Sequence, residues 1–152
     1  MEVVFRQWRC RAQIVLVQSF GFKHGLPLDS DMVLDVRFLP NPFYEEDLKR
    51  LTGNDQPVAD FICRFPQTFQ FLKKEEEMLE FLLPQYISEG KSQLVISVGC
   101  TGGQHRSVFI ANRLYEFLRT QGYAVQLTHL ICSGKTNKRR FLWAGSVGYV
   151  RE

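Results

Sequence analysis

Short apolar runs alternate with amphipathic stretches along this chain. Ala12–Phe20 alternates weakly and is rich in Ile and Val, which predicts a strand. Gly21–Pro27 holds two glycines and a proline and predicts a loop. Met32–Leu39 predicts a second strand with Asp35 and Arg37 on one face, stopped by Pro40-Asn41-Pro42. A short helix is expected over Tyr44–Leu51, with acids in its first turn, then a turn at Thr52–Asp55. Pro57–Phe65 predicts a helix opened by proline. Thr68–Ile87 is the longest helical pattern, with Phe71, Leu72, Met78, Leu79, Leu82 and Tyr86 near i, i+3/i+4 spacing and a solvated KKEEE face. Pro84 is expected to kink or split it. Gln93–Val98 predicts a buried strand, Gly99–Ser107 a loop, Val108–Arg119 a helix stopped at Gly122, and Tyr123–Leu130 a last strand. This order predicts a single α/β domain. A mixed, partly parallel sheet is flanked by helices, and one strand leads through a glycine-rich loop into a helix.

Composition sharpens this picture. The chain has 152 residues, 45% hydrophobic and 23% charged, which suits one globular domain. No apolar run approaches the length of a membrane-spanning helix, and the first residues lack a signal-peptide pattern. A cytoplasmic setting without membrane association is therefore expected. Cys10, Cys63, Cys100 and Cys132 are widely spaced with no CxxC pair, so no metal site and no disulfide framework is expected. The net charge of +3 divides unevenly: residues 133–152 carry +4 and the rest −1. The boundaries expected are an extension leading into the first strand over 1–14, a domain over 15–130, and a basic tail over 131–152.

The chemistry concentrates in Gly99-Cys100-Thr101-Gly102-Gly103-Gln104-His105-Arg106-Ser107. Glycines before a helix start let backbone N–H groups converge on an anion, aided by the helix dipole. Arg106 can add a guanidinium contact, Thr101 and Ser107 hydroxyls, and His105 a ring N–H. The bland alternative is a tight turn with a helix cap, which leaves the histidine and arginine unexplained. The same residues also read as Cys-x5-Arg, the spacing of cysteine-dependent phosphatases, with Cys100 as nucleophile and Arg106 as phosphoryl clamp. Ser133-Gly134-Lys135-Thr136 is not a Walker loop, because His129 stands where the first glycine is required.

Four segments occur in order: Ser19–Pro27, Asp35–Pro42, Leu51-Thr52-Gly53 and Gly99–Val108. Together they resemble the C-terminal domain of the RapZ family of RNase adapter proteins, over about Val15 to His129. Full-length members resemble a P-loop kinase-like domain followed by this one. The Walker motif is missing here, so the resemblance brings neither ATP nor GTP binding and no cofactor. It implies a non-enzymatic adaptor that binds RNA and a phosphorylated amino sugar such as glucosamine 6-phosphate. The ligand residues so implied are Lys23, Arg37, Thr101, Gly102, Gly103, His105, Arg106 and Ser107. RNA contacts are expected at Lys23 and Arg106, and at Lys135, Lys138, Arg139 and Arg140 of the basic tail. A P-loop kinase-like domain or a ribonuclease is an implied partner, and homo-oligomerisation is left open. A second expectation is an accessory or truncated module that needs a separate P-loop partner. Gln104 stands where some members have Lys, Phe43 where many have His, and the tail departs from the family pattern.

Overall fold

In the computed structural model, residues 13–130, 141–143 and 146–148 are described. The core is a four-stranded sheet in the order β3-β4-β1-β5. Its strands are β1 (Ile14–Gly21), β3 (Met32–Asp35), β4 (Gln93–Cys100) and β5 (Ala124–His129). Every pairing in it is parallel, with Val17 opposite Ile96 and Leu127 at the centre and Asp35 opposite Gly99 at one end. Among the described residues, antiparallel pairing is confined to a second sheet of β2 (Leu26–Pro27), β6 (Phe141–Trp143) and β7 (Ser146–Gly148). Parallel strands need long crossovers, and the helices supply them. These are α1 (Gln56–Cys63), α2 (Pro66–Glu89) and α3 (Arg106–Thr120).

β1 and β4 sit at the centre and are buried over most of their length. Val15 and Val17 of β1, with Leu94, Ile96, Val98 and Cys100 of β4, share one core with Val58, Ile62, Leu79, Ile110 and Leu114 from the helices. The other face carries a smaller cluster of Phe20, Leu130 and Phe22, and a polar ladder in which Gln18 Nε2 donates to Ser97 Oγ over 2.8 Å. All four strands of the main sheet run the same way. Gly21, Asp35, Cys100 and His129 therefore end at one edge, where α/β sheets place their binding crevices.

Two expectations fail, and of the kink or split expected at Pro84 the split does not occur. The helix predicted over Tyr44–Leu51 does not form; a 3-10 turn at Pro42–Tyr44 is followed by turns. The segment is held in turns, with the Leu48 and Lys49 N–H groups both donating to the Glu45 carbonyl, and its last carbonyls accept from His105 and Gln104. The strand predicted to reach Leu39 ends at Asp35, whose carboxylate accepts the backbone N–H of Arg37 and turns the chain. Pro84 does not split α2, which runs from Pro66 to Glu89 without a break. The hydrogen bond Pro84 cannot donate falls to the carbonyl of Glu80, an exposed residue that water can reach.

Candidate functional site: the glycine loop at the sheet edge

The loop between β4 and α3 begins on a glycine for a steric reason. A Cβ on Gly99 would stand 2.5 Å from Phe20 and 2.6 Å from Phe22, whose rings pack onto its backbone. Gly103 has φ 74°, the left-handed region open to glycine, and its N–H donates to Cys100 Sγ over 3.2 Å. Gly21 is as constrained: a Cβ there would lie 2.6 Å from the Gly102 carbonyl carbon.

From Gln104 onward the loop's side chains turn inward. Gln104 Nε2 donates to the carbonyls of Lys49 (3.1 Å) and Leu51 (2.7 Å). His105 Nε2 is 3.1 Å from the Leu48 carbonyl, and Gly53 N–H donates to the Gln104 carbonyl over 2.9 Å. Gly53 is pressed so closely on the helix start that a Cβ would overlap the His105 carbonyl oxygen and the Phe109 nitrogen.

Arg106 is 5% exposed. Its Nη1 donates to the carbonyls of Arg37 and Leu39, each over 2.8 Å, and its Nε is buried with no hydrogen-bond partner among the described residues. Hydrogen bonds from a charged donor contribute roughly 1.5–3 kcal/mol each, so this residue fixes the Asp35–Pro40 segment against the loop. Arg106, expected among the RNA contacts, is thus largely buried. His105 and Ser107, expected as ligand donors, are buried too: Ser107 Oγ lies 3.1 Å from Cys100 Sγ. Cys100 is 3% exposed within the aliphatic core, while the Arg106 guanidinium is drawn to the carbonyls of residues 37 and 39. Both residues of the Cys-x5-Arg spacing are thus buried, with the Gly103 N–H and the Ser107 hydroxyl beside the thiol.

The outward side of the loop is different. Thr101 and Lys23 are exposed, and Lys23 N–H donates to the Thr101 carbonyl over 3.2 Å. Gly102 is half-buried. A Cβ on it would meet only Lys23, with Nζ at 3.8 Å and Cε at 3.9 Å. A small space beside the loop therefore faces an ammonium group. Arg37 is held at the rim by a bidentate pair with Asp35, Nη2 to Oδ2 being 2.6 Å, and lies over the Phe22 ring at 4.0 Å. That hydrogen-bonded pair pulls the Asp35 carboxyl below its ordinary pKa.

A polar chain closes the same edge. Asn112 of α3 donates through Nδ2 to Asn54 Oδ1 over 2.8 Å, and its Oδ1 faces His129 Nε2 at 2.9 Å. With the amide turned this way His129 Nε2 donates, and Nδ1 accepts from the Ser19 hydroxyl at 2.7 Å. Burial pushes the pKa values of His129 and His105 below the ordinary 6.5. Sequence reading missed Gln104, Gly53, Phe22 and Asn112 as builders of this edge. Gln104, Gly53 and Phe22 lay within the quoted segments, and Asn112 carried no signal.

Of the predicted site, Lys23, Arg37, Thr101 and Gly102 share the exposed rim, while Gly103, His105, Arg106 and Ser107 lie beneath it. Lys135, Lys138, Arg139 and Arg140 lie outside the described residues. Among the described residues no group of three or more His, Cys, Asp or Glu side chains is arranged to hold a metal, and no helix is long and apolar enough to cross a membrane.

Fold and loop together define an α/β binding domain with its glycine loop at the carboxyl edge of a parallel sheet. Residues 13–132 match the family profile described as RapZ C-terminal domain, and the chain belongs to that family. Relatives called nucleotide-binding proteins include one from Alkaliphilus oremlandii, 60% identical over 76% of this chain and 40% of its own length. One from Thermoanaerobacter is 59% identical over 76% of this chain and 41% of its own length. A third, from Clostridium acetobutylicum, is 54% identical over 82% of this chain and 42% of its own length. The chain thus spans about two fifths of the length of these relatives.

Proposed function

We propose that this domain is a non-enzymatic regulatory module of cytoplasmic setting, which holds the phosphate of a small phosphorylated amino sugar at the glycine loop. The observation that carries the reading is the open side of Gly102 beside Lys23. Three other glycines of this edge, Gly21, Gly53 and Gly99, are filled by neighbouring atoms. Gly102 alone of these four leaves room, and the room faces a cation. Lys23, Thr101 and the Gly102 backbone would contact phosphate oxygens at the start of α3, where the helix dipole favours an anion. Gly103, His105, Arg106 and Ser107 would shape the loop from beneath, with Arg37 at its border.

RNA binding belongs to the same reading. Lys23 would contact the phosphate backbone from the rim, with Lys135, Lys138, Arg139 and Arg140 as further cations. The relatives' greater length is compatible with a P-loop kinase-like domain or a ribonuclease as a working partner of this module.

Calorimetry with glucosamine 6-phosphate tests the phosphate site. Binding by the wild type that is lost in Lys23→Ala is the expected outcome, and equal binding by both rejects the loop as the site. RNA retention on filters at two salt concentrations tests the second part, where salt-independent or absent binding rejects it.

A further inference from the structure

The surface of α2 is more apolar than its place in the core requires. Thr68, Leu72, Leu79 and Leu83 are the face it buries. Phe71, Met78 and Leu82 form a second row beside that face, at helical spacing and turned only partly inward. Met78 remains 49% exposed, and Phe81, one turn further on, 63%. At the start of the row Phe38, itself 53% exposed, meets Phe71 with ring centroids 5.2 Å apart. Large apolar side chains grouped in this way on a surface mark a contact with another molecule.

Two charges interrupt the row. Lys74 and Glu75 occupy the turn between Phe71 and Met78. Glu75 is half-buried there, and burial pushes its carboxyl above the ordinary range. None of the ion pairs among the described residues includes Lys74 or Glu75, and no side chain among them donates to the Glu75 carboxylate. A carboxylate that loses hydration without gaining a cation is a cost to the isolated chain. The row thus lacks an apolar cover for Phe71 and Met78 and a cation for Glu75.

α2 itself carries both. An antiparallel copy of α2, crossing at a twofold axis between Lys74 and Glu75, sets Phe71 against the copy's Met78 and Lys74 against the copy's Glu75. Each contact then occurs twice, as an isologous interface requires. The thioether of Met78 would lie on the Phe38–Phe71 ring pair, a favourable contact for sulfur. The ammonium of Lys74 would reach the carboxylate that has no partner in its own chain. We propose that this face of α2 is a self-association surface, and that its occupant is α2 of a second copy of this chain, packed antiparallel across Lys74 and Glu75. The proposal is independent of any ligand at the glycine loop.

Sedimentation equilibrium of the whole chain over a dilution series tests it, with a reversible dimer as the expected result. Lys74→Glu sets acid against acid twice across the axis, and Glu75→Lys sets ammonium against ammonium twice. Each reversal is expected to weaken the dimer Kd by about tenfold or more. In an equimolar mixture of the two variants every facing pair is of opposite charge, so a heterodimer should form with about the wild-type Kd. A surface built for an unrelated partner would not show that rescue. Far-UV circular dichroism melts establish that each variant is folded. Lys74 is exposed, so its reversal alone decides the matter where Glu75→Lys does not fold. A wild type that stays monomeric at every concentration overturns the proposal. So does a dimer that Lys74→Glu leaves intact, or one that two folded variants fail to restore on mixing.

Discussion

The two halves of the glycine loop are built from similar residues and treated oppositely by the fold. From Gln104 to Ser107, polar and charged side chains are turned inward and joined to carbonyls or to a thiol. At Thr101 and Gly102 the chain faces out, with Lys23 and Arg37 beside it. The difference teaches that a motif's most chemical-looking residue can be spent on structure. Here an arginine serves as masonry, and a glycine supplies the opening.

The sharpest way to break this contrast is to remove the masonry. Arg106→Ala should cost about 3 kcal/mol of folding stability in urea denaturation, because two buried carbonyls lose a charged donor. Gly53→Ala should be destabilising for a different reason, backbone overlap with the helix start. A midpoint within error of wild type for both would show the inner half to be dispensable.

On the outer half the expectation is inverted. Gly102→Ala should fold with stability within about 0.5 kcal/mol of wild type, since Gly102 is not among the positive-φ glycines and its Cβ would make ordinary contacts. Glucosamine 6-phosphate affinity should nonetheless fall by roughly tenfold or more, as the methyl occupies the space proposed for the anion. Retained affinity in calorimetry would place the ligand elsewhere.

A smaller effect concerns pH. Burial lowers the folded pKa values of His129 and His105 below 6.5, so the unfolded chain takes up protons first as pH falls. The stability they contribute is present above 6.5 and declines as pH drops from there toward the lowered folded values. Melting curves at pH 7.5 and 5.5 should show that loss, and His129→Gln should reduce its size. A melting temperature that rises on acidification would contradict the sign. The smallest effect is expected at the rim: Asp35→Asn breaks an exposed ion pair and should leave the melting temperature nearly unchanged.

Much of the fold was legible because it is local. The apolar run of β4, the helical spacing of α2 and α3, and the glycines that stop them are written in adjacent residues. The turns that replace the helix expected at Tyr44–Leu51 were not legible: they are tied to the loop by Gln104 and His105, more than fifty positions away. The loop at the sheet edge was legible from Gly99–Ser107, but not which of its side chains the fold buries. Burial of a guanidinium is a tertiary fact, and so is the layering of Gly99, Phe22 and Arg37.

The contact between Gly53 and the start of α3 has a consequence for how the sequence can drift. Leu51-Thr52-Gly53 and Gly99–Ser107 are two words in the chain and one object in space, joined by the Gly53 N–H and the Gln104 amide. Neither can be rewritten alone. A lineage that enlarges residue 53 must reshape the loop in the same step, so the two segments should be inherited, varied and lost as a pair.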